Sequence, residues 1–377
     1  MYLKKRNILI VFIITALLLS TIAFTASADD GISLSAEAAV LYEPVTKTFL
    51  ITKNENKRLP MASTTKIMTA LVALENARLD DTVIIDERAV GIEGSSAYLA
   101  LGDEYTIEEM LYALLLQSAN DAAVAIACSV ADTVEGFVDM MNLKCEELGL
   151  FDTHFDNPNG LDGDTHYTTA HDLALIAAAA MENQTFKSIV STYKKSVGED
   201  KSSRFFVNHN KLLKLYDGCN GIKTGFTKKS GRCLVGSAER DGLNFITVTL
   251  DAPNDWNDHK MMFDYGYSIL ESRCLARVGD FSYDIPVVSS DALSIHAENL
   301  KEAHAVVSKE GSKIKEYVQL PRFVCAPIKA GDVLGRVIFV NNGETIGSVD
   351  IVATEDVSAN NKASLFDHIK NLFKKDC

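Results

Sequence analysis

The alternation of apolar and polar positions changes period several times along this chain. An apolar stretch from Ile8 to Phe24 follows Lys4-Lys5-Arg6 and ends at Ala26-Ser27-Ala28. A basic start, an apolar middle and a small-residue exit are the pattern of a secretory leader, so residues 1–28 are expected to be a signal peptide. The apolar part is long for a cleaved leader, which leaves an uncleaved anchor as the competing expectation. Ala38 to Tyr42 and Thr48 to Thr52 are short β-prone runs around Glu43-Pro44-Val45, predicting a hairpin.

The period then becomes helical. Lys66 to Ala77 is filled with helix formers, and Ser63 reads as its N-cap or a first-turn residue. Asp80 to Ala89 is polar and mixed, and Gly91 to Gly102 reads as a loop. Thr106-Ile107-Glu108-Glu109 is a capping box opening the helix Met110 to Leu116. Asp121 to Val134 and Val138 to Leu148 continue as helices. After the turn Asn157-Pro158-Asn159-Gly160, Thr168 to Asp172 caps another alanine-rich helix through Met181.

From about 203 the pattern reverts to short strand-like runs: Cys219 to Thr224, Arg232 to Ser237 and Phe245 to Leu250, then a helical Met261 to Leu270. A helical middle enclosed by a hairpin and a meander predicts one antiparallel sheet assembled from both ends, with a helical lobe inserted. Around Arg273 to Asp280 the texture shifts again. Ser282 to Val288, Tyr317 to Leu320, Val333 to Val340 and Thr345 to Ala353 alternate as in a small all-β domain. The expected division is a leader over 1–28, a first domain over 29–273, a β domain over 274–358 and a tail over 359–377. In that tail Leu365, Phe366, Ile369, Leu372 and Phe373 share one helical face, with Lys362, Lys370, Lys374 and Lys375 around the other. The pattern suits a membrane surface, or packing against the acidic β domain.

Composition narrows the function. At 377 residues the chain has room for two domains. Its net charge of -14 includes the three leader cations, so the remainder is more acidic still, which argues against nucleic acid as a partner. No zinc-like Cys/His spacing, P-loop or dinucleotide fingerprint occurs, so neither a metal nor a cofactor is expected. Seven irregularly spaced cysteines, an odd number, do not suggest a disulfide framework.

Three stretches carry candidate chemistry. Ser63 and Lys66 lie three residues apart, on one face of a helix start. A serine hydroxyl is a weak nucleophile until a base takes its proton, and a lysine can do so where burial or a second cation lowers its pKa. Unpaired N–H groups at the helix start are raw material for an oxyanion hole. By itself such a pair is more often a cap and a solvated lysine. Ser118-Ala119-Asn120 stands at a helix junction, where Ser and Asn usually cap. Lys223-Thr224-Gly225 ends a strand-like run, where glycine permits close approach of another backbone or a ligand and a β-turn is the plainer reading. His166 and His209 are acid–base residues by type, but a lone histidine is more often structural.

Taken together and in this order, the three stretches form the set found in penicillin-binding proteins and class A β-lactamases. The chain resembles the penicillin-binding D-alanyl-D-alanine carboxypeptidases, low-molecular-weight serine peptidases of bacterial cell walls. The resemblance extends to Asn157-Pro158-Asn159-Gly160-Leu161, His166 to Ala170, Asn208-His209-Asn210, Gly221 to Thr227 and Gly231 to Leu234, spanning about 35 to 270. It implies an α+β fold of the β-lactamase/penicillin-binding-protein type followed by a small all-β domain. It further implies that Ser63 attacks the carbonyl between two terminal D-alanines, with Lys66 as base and Ser118 relaying the proton to the leaving amine. Asn120 would bind the substrate amide backbone, and Lys223 and Thr224 the terminal carboxylate. The oxyanion would sit between the N–H groups of Ser63 and Phe226, beside Gly225. No Glu-x-x-x-Asn pattern occurs in the helical lobe, which counts against a class A lactamase. The expected protein is an exported carboxypeptidase at the outer face of the cell membrane or in the wall, trimming peptidoglycan stem pentapeptides and taking β-lactams as inhibitors. A D,D-endopeptidase, a β-lactamase or a non-catalytic β-lactam sensor are the alternatives.

Overall fold

The strands that carry the site come from two distant parts of the chain. In the computed structural model, which describes residues 32–198 and 203–360, strands β1 (Ala38–Glu43) and β2 (Thr48–Lys53) form the N-terminal hairpin. Strands β7 (Cys219–Thr227), β8 (Gly231–Arg240) and β9 (Leu243–Leu250) form the meander. They unite in one antiparallel sheet of order β2-β1-β9-β8-β7. Every residue of β1 is buried, because both faces of this strand are covered. Alternate residues go opposite ways. Val40, Ile246 and Val248 join the core of the helical lobe, whereas Thr247 and Thr249 meet His259 on the other face.

The lobe holds α1 (Lys66–Asn76), α2 (Ile107–Leu116), α3 (Asn120–Ala131), α4 (Val134–Glu147), α5 (Ala170–Glu182) and α6 (Gln184–Ser191). The short α7 (Leu212–Leu215) precedes β7, and α8 (Asp255–Ile269) covers the far face of the sheet. The Thr106/Glu109 capping box forms as expected, and it starts α2 at Ile107, three residues earlier than the apolar run alone suggests. Thr169 accepts from the Asp172 N–H at the start of α5. The polar segment after α1 contains a short strand, β3 (Thr82–Ile84), paired with β4 (Glu104–Thr106). A second small pair, β5 (Lys194–Val197) with β6 (Arg204–Val207), flanks the lobe. Neither pair shows the apolar alternation that betrays a strand, because each is mostly exposed.

Strand β10 (Leu270–Ala276) continues directly from α8 and pairs with β13 (Ala303–Ser308). Beyond it, β14 (Ile314–Gln319), β16 (Val333–Asn341), β17 (Glu344–Ala353), β12 (Ser294–Glu298), β11 (Ser282–Val288) and β15 (Val324–Cys325) form a six-stranded sheet in that order. It has its own core, with Ile285, Ile295, Val337, Phe339 and Ile351 buried. The fold is therefore α+β, with an antiparallel sheet and helical lobe followed by an all-β unit. The segments expected to be a leader and an amphipathic tail lie outside the described residues. Among the described residues no helix is long and apolar enough to cross a membrane, and the six described cysteines are unpaired.

Candidate active site

Ser63 sits in a 3-10 turn, Ala62–Thr65, that leads into α1 rather than at the N-cap of the α-helix. Thr64 Oγ1 donates to the Met61 carbonyl at 2.6 Å and Thr65 Oγ1 to the Ala62 carbonyl at 2.8 Å, so the two threonines after the serine stitch the turn closed. Ala62 takes φ +47°, an uncommon conformation for a residue with a Cβ. Two glycines permit the packing around it. A Cβ on Gly160, itself at φ +89°, would fall 2.1 Å from the Ala62 carbonyl oxygen, and one on Gly225 would fall 3.0 Å from the Ser63 nitrogen. The turn is thus clamped between the 157–160 loop and edge strand β7.

Lys66 begins α1 and is wholly buried. A Val or Ile at that depth stabilises by about 1.5–3 kcal/mol; a lysine there loses its hydration instead and needs partners. Its Nζ lies 3.0 Å from Ser63 Oγ and donates to Asn120 Oδ1 at 2.7 Å and to the backbone carbonyl of Asn159. Burial first, and the charge of Lys223 second, hold its pKa well below the usual lysine value, with Asp121 opposing them. Asn120, at the start of α3, is fixed in turn: its Nδ2 donates to the Glu93 carbonyl at 2.6 Å and its backbone N–H to that of Ser95 at 2.7 Å. Ser118, just before it, is buried at φ +61° and lines the same cleft.

Lys223 and Thr224 point to opposite faces of β7. Lys223 is buried on the lobe side, and its Nζ donates to the Thr224 carbonyl at 2.9 Å. Burial lowers it to about 7. Thr224, Gly225 and Phe226 line a cleft of about 350 Å³ together with Ser63, Ser95, Ser118 and His209. The structure therefore gathers all eight residues singled out from the sequence: Ser63, Lys66, Ser118, Asn120, Lys223, Thr224, Gly225 and Phe226.

The two histidines separate. His166 is buried, accepts the Asp156 N–H on Nδ1 at 3.0 Å and meets Thr65 Oγ1 at 2.8 Å through Nε2. With Nδ1 accepting, the proton is on Nε2, which donates to Thr65. Burial lowers its pKa to about 4, so it is a neutral brace under the turn that holds Ser63. His209 lies exposed on the cleft wall. Sequence reasoning missed the Asn159 and Glu93 carbonyls, since a backbone oxygen leaves no residue signature. It also missed Arg232, Asp255 and Trp256, which line the cleft beside Thr224. Counting the β7–β8 register outward from Lys223-Thr224-Gly225 would have put Arg232 opposite Phe226.

Comparison with known proteins agrees with this geometry. The family model described as D-alanyl-D-alanine carboxypeptidase matches residues 22–254, and that of the penicillin-binding protein 5 C-terminal domain matches 282–359. The D-alanyl-D-alanine carboxypeptidase DacF of Bacillus subtilis is 33% identical over 334 residues, 85% of this chain and 86% of its own. Penicillin-binding protein 5 of Haemophilus influenzae superposes with a TM-score of 0.64 at 26% identity, covering 87% of this chain and 98% of that one. A Streptomyces DD-transpeptidase matches with a TM-score of 0.60 at 34% identity, over 63% of this chain and 99% of its own. The Ser63 turn, the buried Lys66 and the antiparallel sheet thus sit in a familiar frame, and the chain belongs to the D-alanyl-D-alanine carboxypeptidase family.

Proposed function

We propose that this serine carboxypeptidase of peptidoglycan stem peptides works through an acyl-enzyme on Ser63. The observation that carries the assignment is the set of partners around Lys66. Two of its three neighbours, the Asn120 amide oxygen and the Asn159 carbonyl, can only accept. A neutral amine has two N–H donors, so both are used there and its lone pair is left toward Ser63 Oγ, 3.0 Å away. In that state the hydroxyl donates to the amine, the arrangement a general base requires.

Ser63 Oγ attacks the carbonyl of the penultimate D-alanine while its proton passes to Lys66 Nζ. The resulting oxyanion lies between the Ser63 and Phe226 N–H groups. The close approach of Gly225 to the Ser63 nitrogen supports this pairing. The proton then moves through Ser118 to the leaving amine, D-alanine departs, and water hydrolyses the ester with Lys66 again as base. Asn120 orients the peptide amide. Lys223 and Thr224 supply a positive field and a hydroxyl toward the terminal carboxylate. β-Lactams, cyclic amides that can acylate the same hydroxyl, are proposed as covalent inhibitors.

Ser63→Ala should abolish both D-alanine release from an acyl-D-Ala-D-Ala peptide and labelling by penicillin, and mass spectrometry should place the adduct on the Ser63 peptide. An adduct elsewhere overturns the assignment. Labelling without turnover would indicate a sensor, and rapid penicillin hydrolysis a lactamase. The division at about 273, export through residues 1–28 and surface attachment through 359–377 complete the proposal. Protein starting at Asp29, with and without 359–377, should differ in sedimentation with anionic vesicles. Equal sedimentation refutes the anchor.

A further inference from the structure

We propose that Tyr98, held on the 95–99 loop beside Asn120, is a platform for the sugar that carries the stem peptide, so that the glycan is part of what this enzyme recognises. The inference rests on the reading of the cleft as the D-Ala-D-Ala site. It starts from Asp121, a buried carboxylate on α3 that the reaction does not use. Asp121 Oδ2 accepts from Ser96 Oγ at 2.6 Å and from the Leu99 N–H at 3.2 Å. Its Oδ1 accepts from the Ala97 N–H at 3.0 Å and the Ala122 N–H at 2.9 Å. One side chain thus ties three loop residues to the start of α3. Ser95 of the same loop lines the cleft, and its carbonyl, with that of Glu93, fixes Asn120. Asn120 is assigned to the peptide amide, and Lys223 and Thr224 to the terminal carboxylate, so this loop stands on the acyl side of the cleft.

Tyr98 is pinned between those anchors. Its N–H donates to Ser96 Oγ at 2.8 Å, and its carbonyl accepts from Arg204 Nη2 on β6 at 2.9 Å. Its φ of +57° is uncommon for a residue with a Cβ, and such strain persists only where the surroundings enforce it. Ala97 and Leu99 on either side are buried, yet Tyr98 keeps 80% of its surface in water. Both backbone polar groups are fixed while the ring is left in solvent. The loop therefore presents the ring rather than packing it. Reach selects the ligand. A stem pentapeptide leaves four residues on the acyl side of the scissile bond, which span roughly 13 Å when extended, and the sugar follows. Tyr98 lies three residues from Ser95, so its Cα can stand up to about 11 Å beyond the cleft wall and its ring further still. The C–H groups on the face of a pyranose suit the negative face of an aromatic ring.

The test compares kcat/KM for D-alanine release by the full chain from three substrates. They are a disaccharide pentapeptide, the same pentapeptide with an acetyl cap, and one with a phenylacetyl cap. The wild type should prefer the disaccharide over the acetyl substrate by roughly 3- to 10-fold, about half the value of fully burying a large apolar side chain. Tyr98→Ala should erase that ratio, and Tyr98→Leu should erase it too, since leucine keeps bulk without a ring face. Tyr98→Phe should preserve it. Tm for each variant confirms that the loop is still folded, as an exposed ring contributes little packing. A wild type without the preference, a ratio unmoved by Tyr98→Ala and Tyr98→Leu, or an equal Tyr98-dependent gain from the phenylacetyl cap overturns the assignment. No D-alanine release by the wild type from any of the three overturns the underlying site reading instead.

Discussion

Two lysines at full burial are expensive groups, and their placement sets how the site responds to pH. Lys66 must be neutral to accept a proton, and Lys223 is charged only below about 7. As pH falls, Lys66 gains a proton and acylation is lost, giving the acid limb of the rate profile. Lys223→Gln removes one of the two causes of the Lys66 depression, so Lys66 should hold its proton to higher pH and the acid limb should move upward. A profile of penicillin acylation against pH that stays in place refutes that coupling. Lys66→Ala should cost acylation roughly 10²–10⁴-fold, the scale of a positioned proton acceptor. Stability should go the other way. A buried lysine held below its unfolded pKa destabilises the fold by about 1.36 kcal/mol per unit of depression. The folded state binds fewer protons between about 7 and 10.5, so the contribution of Lys223 improves as pH rises through that window. Lys223→Met should therefore raise Tm at pH 7 while ending D-alanine release. A lower Tm would show that the ammonium is a net structural asset.

At the scale of elements, the site depends on how closely three pieces of backbone approach: the 62–65 turn, the 157–160 loop and β7. Gly160→Ala puts a methyl 2.1 Å from a carbonyl oxygen of the nucleophile turn, and neither backbone can yield without moving Ser63. Activity should fall at least 10²-fold, the order expected when a reacting group is displaced by about 1 Å. Gly102→Ala is the matched control: its φ is +83° but a Cβ there meets nothing within 4 Å. It should cost about 1 kcal/mol of left-handed strain and leave kcat/KM unchanged. Equal activity losses in the two variants would refute the clamp. Tm and D-alanine release on both proteins decide it.

For the whole molecule, two neutral histidines make the fold acid-sensitive. His166 titrates at about 4 beneath the nucleophile turn, and His259 at about 3 between Thr247 and Thr249. Both are lowered chiefly by burial. The unfolded chain takes these protons near 6.5 and the folded chain does not, so stability is present above 6.5 and is lost as pH falls toward 4 and 3. Tm should drop steeply across that interval, and His259→Gln should flatten the drop while leaving D-alanine release at pH 7 near wild type. An unaltered slope in the variant would refute the role of His259.

The sequence by itself determined much of this protein. The capping box at Thr106, the Thr169 cap and the apolar strands at either end of the first unit were legible because each rests on local periodicity or on contacts within a turn. The order of Ser63-Lys66, Ser118-Asn120 and Lys223-Thr224-Gly225 was legible because side chains of fixed chemistry recur at fixed spacing. The exposed strand pairs Thr82–Ile84 with Glu104–Thr106 and Lys194–Val197 with Arg204–Val207 were not, since with little to bury they leave no alternation. Only the tertiary structure decided that Lys66 meets the carbonyl of Asn159, 93 residues away, that His166 braces the turn rather than acting in the cleft, and that Arg232 stands beside Thr224. Those facts depend on backbone atoms and on strand register. Desolvation likewise acts through everything packed around a group, which is why the state of the two lysines is a property of the fold and not of their neighbours in sequence.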